Sequence, residues 1–366
     1  MTRASSQAGG SPIANASHWP APAADGRAGT GFAILVNAHA KRGGRRVAVQ
    51  IGRALPGASV RLTKSTQEID AWLRMLPKPR AVFAAGGDGT AVALVNALAR
   101  VTPKADAFPA VGVLPLGTGN GWAHALGGPK LHRCLELLAQ LPRALATRRC
   151  NLLDVKGTLA HFAGCGWDAM ILEDYRRQLD ASRGPGRHFS KSVYGYLAAA
   201  FLRTAPKVAL FGNPHVVIEN LGDEVFAPDS DGKPRCLKGV GRGAVLYDGP
   251  AGAASAGTCP EFGYRFRAFP FAERMPGFVS VRAYGRGALG AITAIPLLWK
   301  GTHPLGGMHD WLATHVRMSF SRAVPLQIGG DAHGLHRTVE FRAADREVRM
   351  VDWRRILCSS DGSHSE

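Results

Sequence analysis

Two short runs in this chain gather glycines, a hydroxyl and a polar side chain: Gly86-Gly87-Asp88-Gly89-Thr90 and Leu116-Gly117-Thr118-Gly119-Asn120. Each follows an apolar, strand-like run and opens a helix-like one. A strand that ends in glycine and hands over to a helix leaves several backbone N–H groups aimed at one point, with the positive end of the helix dipole behind them. That arrangement suits a phosphate. Asp88 adds a carboxylate able to hold a Mg²⁺-nucleotide or a hydroxyl, and Thr90 reads as the N-cap of the helix that follows. Neither run is G-x-G-x-x-G, and no G-x-x-x-x-G-K-[ST] occurs, which argues against a Rossmann dehydrogenase and a Walker-type ATPase.

The elements that must position these turns alternate in type. Phe32 to Val36 is a continuous apolar run of buried-strand character, Arg45 to Leu55 a basic amphipathic helix, and Ser59 to Thr63 a second strand. Ser65-Thr66-Gln67-Glu68 fits a capping box, with Ile69, Trp72, Leu73 and Leu76 following on one helical face. Ala81 to Ala85 is a third strand, Ala91 to Arg100 a helix, Val111 to Leu114 a fourth strand and Leu131 to Leu141 a helix. Repeated βα units imply a doubly wound, mostly parallel sheet, whose carboxyl edge would bring both glycine turns together. Past about residue 150 the texture changes to short runs broken by Gly, Pro and charge, which favours a second, antiparallel β-sandwich-like domain. The division expected is therefore a disordered leader over 1–30, an α/β domain over 31–150 to which 340–366 can return, and a β-rich domain over 151–339. Tyr194 to Leu202 reads as helical within the β-rich part.

With 45 Lys and Arg against 27 Asp and Glu in 366 residues, the formal charge is +18, so the surface should attract polyanions, nucleic acid or an anionic bilayer. No helix-turn-helix pattern or interleaved aromatic platform supports nucleic acid. Six cysteines lie scattered without a C-x-x-C pair and read as reduced thiols of a cytosolic protein. The longest apolar stretch, Ala288 to Trp299, contains Pro296 and falls short of the roughly 20 residues a spanning helix needs. A protein held at the inner face of the membrane from the cytoplasmic side fits these features.

The motifs together resemble the diacylglycerol kinase catalytic-domain family, which includes bacterial lipid kinases, sphingosine kinases and ceramide kinases. The markers are Ile34-Leu35-Val36-Asn37, Thr63, the GGDGT turn, Leu114-Pro115-Leu116-Gly117-Thr118-Gly119-Asn120, Gly164-Cys165-Gly166-Trp167-Asp168-Ala169 and Pro325-Leu326-Gln327-Ile328, covering roughly residues 31 to 342. GGDGT alone is shared with NAD kinases and phosphofructokinases; followed by LPLGTGN it is specific. The resemblance implies a two-domain kinase with ATP in the cleft, contacted by Asn37, Thr63, Gly86, Gly87, Asp88, Gly89, Thr90 and Thr118, with Asn120 closing the pocket. Mg²⁺ would come with the nucleotide beside Asp88, and the acceptor would be the hydroxyl of a membrane lipid such as diacylglycerol, ceramide or a sphingoid base.

This chain departs from the family pattern at Ala38, at Ala93 and at Gly121-Trp122-Ala123. Met275-Pro276-Gly277 stands where some bacterial members hold a structural Mg²⁺, so no separate metal site is expected. The Asp-Gly-Glu that supplies a proton acceptor is replaced by Gly329-Gly330-Asp331, leaving Asp331 as the candidate base. Asp168 is placed near the acceptor head group, Asp154 in structural bonding, and Arg176, Arg177, Arg183, Arg187 and Lys191, interleaved with Tyr175, Phe189 and Tyr194, against phospholipid head groups or solvent. His333 reads as a solvated turn residue. Two other readings keep the fold: a kinase of a soluble acceptor, as in NAD kinases, or a nucleotide or lipid sensor without turnover.

Overall fold

The computed structural model describes residues 31–38, 44–102, 108–117, 119–140, 145–181, 198–204, 212–263 and 265–362, with Gly195, Pro206 and Leu210. Thr118, Arg183, Arg187, Phe189, Lys191, Tyr194 and the 1–30 leader lie outside the described residues, and of the Asp168 side chain nothing is described.

In chain order the first elements are β1 (Phe32–Asn37), α1 (Gly44–Ala54), β2 (Ser59–Thr63), α2 (Thr66–Met75), β3 (Ala81–Gly86), α3 (Asp88–Val101), β4 (Ala110–Pro115), α4 (Gly121–Ala125), α5 (Leu131–Gln140) and β5 (Thr147–Cys150). Next come β6 (Leu153–Val155), β7 (Thr158–Ala160), β8 (Phe162–Gly166) and α6 (Trp167–Ala181). Strands β9 (His215–Asn220), β10 (Val225–Pro228), β11 (Pro234–Cys236), β12 (Val245–Pro250), β13 (Ala253–Gly257) and β14 (Val279–Tyr284) lead to α7 (Ala288–Lys300). The chain closes with β15 (Met308–Ala313), β16 (His315–Ile328), β17 (Asp331–Ala343), β18 (Val348–Val351) and α8 (Trp353–Gly362).

Two sheets result. The first runs β2-β1-β3-β4-β18-β5 and is parallel except for β5, which pairs antiparallel with β18. Its central strands are buried along nearly their whole length, as continuous apolar runs covered on both faces must be. In β4 a glycine sits where any Cβ would stand 2.1 Å from the Phe83 ring, so Gly112 lets that ring lie flat against its neighbour strand. Helices α1, α5 and α8 pack together, as do α2 and α3. The second sheet is antiparallel in the pairings of β8 to β17, with β8 between β13 and β16. The fold class read from the sequence, a mostly parallel α/β sheet plus an antiparallel β unit, is the one observed. One contiguous apolar cluster runs from Phe32 and Leu94 in the first unit to Cys165 and Val316 in the second, so the two sheets share a core.

Half of the capping box forms: the Ser65 hydroxyl accepts from Glu68 N–H at 3.4 Å, while the Glu68 carboxylate accepts from Lys64 N–H at 3.1 Å, one residue before the N-cap. One local expectation needs correction. Helix α3 begins at Asp88 with Gly87 as its cap, so Thr90 is its third residue and not the N-cap. The cause is Gly87 itself, whose extended backbone (φ −95°, ψ −172°) starts the helix three residues early. The Tyr194 to Leu202 segment is helical where described: Gly195, Ala198 and Ala199 are α-helical, and Ala200–Thr204 forms a π-helical turn.

Candidate active site

Register in the parallel sheet aligns the ends of three crossovers. Asn37 lies opposite Thr63, Val36 opposite Ala85, and Gly86 opposite Pro115. The two glycine turns therefore emerge side by side. Their backbones touch: Leu116 and Gly117 donate N–H to the Gly86 carbonyl at 3.0 and 3.2 Å, and a Cβ on Gly117 would stand 2.4 Å from Gly87 Cα. At Gly86 a Cβ would stand 2.2 Å from the Thr90 hydroxyl, which accepts from Asn37 Nδ2 at 3.0 Å. Only glycine allows the Thr90 side chain to fold across the strand end and meet Asn37.

The two turns differ in what their amides do. At the first, the N–H groups of Asp88 and Gly89 open α3 and have no partner among the described residues. At the second, the amides of Gly117, Gly121 and Trp122 are taken, while those of Gly119 and Asn120 have no partner among the described residues. Asn120, in the left-handed region at φ 50°, accepts from Gly117 N–H and donates to Gly117 C=O, both at 2.9 Å. Both oxygens of the Asp88 carboxylate accept from the start of α4, Gly121 N–H and Trp122 N–H, each at 2.9 Å. Asp88 is thus the anionic cap of α4, placed by α3, and it ties the turns to each other. A carboxylate offers about four acceptor positions, so this leaves capacity toward a further cation.

Thr63 is buried, with its hydroxyl donating to Ser65 C=O at 2.9 Å and Glu68 at 3.2 Å, so it anchors the start of α2. Asp154 is structural as expected: it accepts from Gly157 N–H at 2.9 Å and from Arg342 at 2.8 Å.

From the other sheet, the β16–β17 hairpin reaches across to the first turn. Gly329 lies against Val92 of α3, where a Cβ would stand 2.8 Å from a Val92 methyl carbon; its φ of 58° is a second reason for glycine. Gln327, nearly fully buried, accepts from Gly330 N–H at 2.9 Å and shapes the hairpin. Asp331 then begins β17 with Oδ2 only 3.5 Å from where a Gly89 Cβ would be. This carboxylate stands beside the unpaired amides of α3, although 245 residues separate Gly86 from Asp331 in the chain. Arg176 from α6 forms an ion pair with Asp331 and donates to Gly330 C=O at 2.7 Å. Arg176 therefore points toward the hairpin, and Arg177 pairs with Glu173 one helical turn back on an exposed face. His333, three residues into the hairpin's second strand, is an exposed residue whose burial relative to solvent still lowers its pKa.

The sequence reading missed His161. Its ring is fully buried, stacked on Trp122 at 4.5 Å between centroids and edge-on to Phe162 at 4.4 Å. Nε2 stands 3.9 Å from Asp88 Oδ1, and neither ring nitrogen has a hydrogen-bond partner. Desolvation pushes its pKa down to about 4 against the opposing pull of Asp88, so the ring is neutral at neutral pH. The only signal in the sequence is a lone histidine inside the apolar run Leu159 to Ala163, which more often marks an inert core position. Among the described residues no group of three or more His, Cys, Asp or Glu side chains could hold a metal, and none of the six cysteines is in a disulfide.

A doubly wound sheet whose glycine turns converge beside carboxylates is a phosphate-handling α/β architecture. Residues 32–151 match the family model described as the diacylglycerol kinase catalytic domain. The resemblance read from the motifs thus has a family match over this segment of the chain. Over 73 residues the chain is 41% identical to an eye-specific diacylglycerol kinase of Drosophila melanogaster, a match covering 20% of this chain and 5% of that one. Over 92 residues it is 46% identical to a probable lipid kinase YegS-like of Stenotrophomonas maltophilia (strain K279a), covering 25% and 30%. The matched stretch thus spans less than a third of either relative's length. The fold is that of a crystal structure of a diacylglycerol kinase from Bacillus anthracis str. Sterne, with a TM-score of 0.61 at 16% identity over 88% of this chain and 96% of that one.

Proposed function

We propose that this chain is an ATP-dependent lipid kinase that transfers the γ-phosphoryl group to the hydroxyl of a membrane lipid. The observation that carries the reading is the meeting of Asp331, from the antiparallel sheet, with the unpartnered N–H groups of Asp88 and Gly89. Those two amides, with the dipole of the 14-residue helix α3 behind them, fit the phosphates of a nucleotide. Asn37, Thr63, Gly86, Gly87 and Thr90 form the wall behind them, and Asp88, locked to α4, holds the second turn against the first.

In this reading Asp331 takes the proton of the lipid hydroxyl as its oxygen bonds to the γ-phosphorus. The bond from that phosphorus to the bridging oxygen breaks, and the electron pair leaves with ADP. Arg176, paired to Asp331, lies where charge on the transferring group can be offset. Mg²⁺, when bound with the nucleotide, would neutralise phosphate charge, with Asp88 as the nearest acidic side chain of the first turn. Phosphoryl transfer depends mostly on such positioning and charge stabilisation.

A radiolabelled-ATP transfer assay against diacylglycerol, ceramide and sphingosine in mixed micelles, beside NAD and a sugar in solution, tests the reading. Label moving into one of the lipids is the expected result. Transfer to a soluble acceptor alone, or tight ATP binding with no transfer at all, would overturn it.

A further inference from the structure

Helix α7 has a composition at odds with its surroundings. Its sequence ALGAITAIPLLWK holds one hydroxyl and one charge, the pattern of a buried or lipid-embedded helix. Yet none of its described side chains is buried. Thr293, Pro296, Leu297 and Lys300 form an outward stripe at helical spacing, and Leu297 keeps 43% of its surface in solvent. At 13 residues, about 20 Å, the helix is too short to cross the roughly 30 Å of a bilayer core.

Its C-terminal end is basic. Arg265, Arg267, Arg274 and Lys300 are exposed and have no acidic partner among the described residues, and two of them, Arg267 and Arg274, line a pocket of 220 Å³ beside Gly301, with Asp231 as the one carboxylate on its wall. From the same end an aromatic path leads inward. Trp299 meets Phe266 at 5.4 Å, Phe266 meets Phe262 at 6.2 Å, Phe262 meets Phe162 at 4.1 Å, and Phe162 abuts His161 beside Asp88. The exposed helix and the candidate active site are therefore joined by a run of packed aromatic rings, whose inner members, Phe162 and His161, are buried.

We propose that α7 is the membrane-docking element of this protein, lying in the plane of an anionic bilayer with Pro296 and Leu297 in the acyl boundary and Arg267, Arg274 and Lys300 on the head groups. Apolar burial and attraction to anionic lipid together fit the pairing of this stripe with this charge. The proposal rests on a membrane-lipid acceptor, and it adds where the protein touches the membrane.

Co-sedimentation of the full chain with vesicles tests it, using phosphatidylcholine alone and with 30% phosphatidylglycerol, on the order of the anionic content of a charged leaflet. Binding to the anionic vesicles is expected, with Leu297→Glu weakening it about tenfold and Leu297→Ala less. Arg267→Ala combined with Arg274→Ala should remove most of the difference between the two vesicle types. Thermal melts show whether each variant is folded. Transfer from ATP to a lipid dispersed in detergent micelles, where no bilayer is needed, should persist in Leu297→Glu. A folded Leu297→Glu that binds anionic vesicles like the parent would overturn the proposal. So would loss of self-association in that variant without any change in vesicle binding, since the stripe would then be an interface between protein copies. Failure of the micellar assay in the parent with helix-dependent vesicle binding intact would count against the kinase reading and leave the docking surface standing.

Discussion

The two glycine turns are near copies in sequence but use their amides differently in the folded chain. Both end a parallel strand, both hand over to a helix and they touch at Gly87 and Gly117. The first keeps the amides of Asp88 and Gly89 open, whereas the second spends the amides of Gly117, Gly121 and Trp122 on Asn120 and Asp88. Glycine content sets how closely a backbone can approach a ligand. Whether the amides remain available depends on which side chains lie within reach, and that differs between α3, which is long and starts at the turn, and α4, which has five residues and is capped from outside.

If the second turn is a clasp, pushing it off the first should damage catalysis. Gly117→Ala places a Cβ against Gly87 Cα, and a displacement of about 1 Å at the phosphate turn is expected to lower kcat/KM about 100-fold. Steady-state transfer assays check this, and unchanged kinetics would show that the turns are not coupled. Asp331→Asn leaves the turns alone and removes the base, so kcat should fall about 10² to 10⁴-fold while ATP affinity, read by calorimetric titration, holds. Equal loss of affinity would assign Asp331 to binding instead.

Asp88→Ala strips the charged cap from α4 and should abolish transfer while costing about 2 to 3 kcal/mol of stability, read by denaturant titration. Retained activity with the stability loss would confine Asp88 to the clasp. Acid sensitivity isolates its neighbour. The folded His161 titrates near 4 against 6.5 in the unfolded chain, so the unfolded chain takes up the proton first as pH falls. Stability from the neutral ring is complete above about pH 6.5 and declines toward pH 4, by about 3 kcal/mol in total. His161→Leu should flatten the melting temperature over that window; an unaltered slope would place the acid sensitivity elsewhere. The smallest effect is expected from Asn120→Gly, which tolerates the left-handed backbone and loses two hydrogen bonds, about 1 to 2 kcal/mol, with less harm to ATP affinity than Gly117→Ala.

Much of this molecule was written locally. The buried runs of β1, β3 and β4, the Ser65–Glu68 cap and the glycine turns depend on neighbours a few residues apart, where period, propensity and φ are set by the residues themselves. That is why the sheet class and the strand–glycine–helix turn at residues 86–90 were readable from composition and spacing. The partners of those groups were not. Asp88 capping α4 spans 33 residues, Arg176 reaching Asp331 spans 155, and His161 meets Asp88 only because β8 follows a turn that stacks it on Trp122. No local pattern encodes contacts made across a shared core, since their energies appear only once both sheets have closed on it. The sequence determined where a phosphate could be gripped; tertiary packing decided which amides stay open for it, which carboxylate faces them and that an apolar helix is left in solvent.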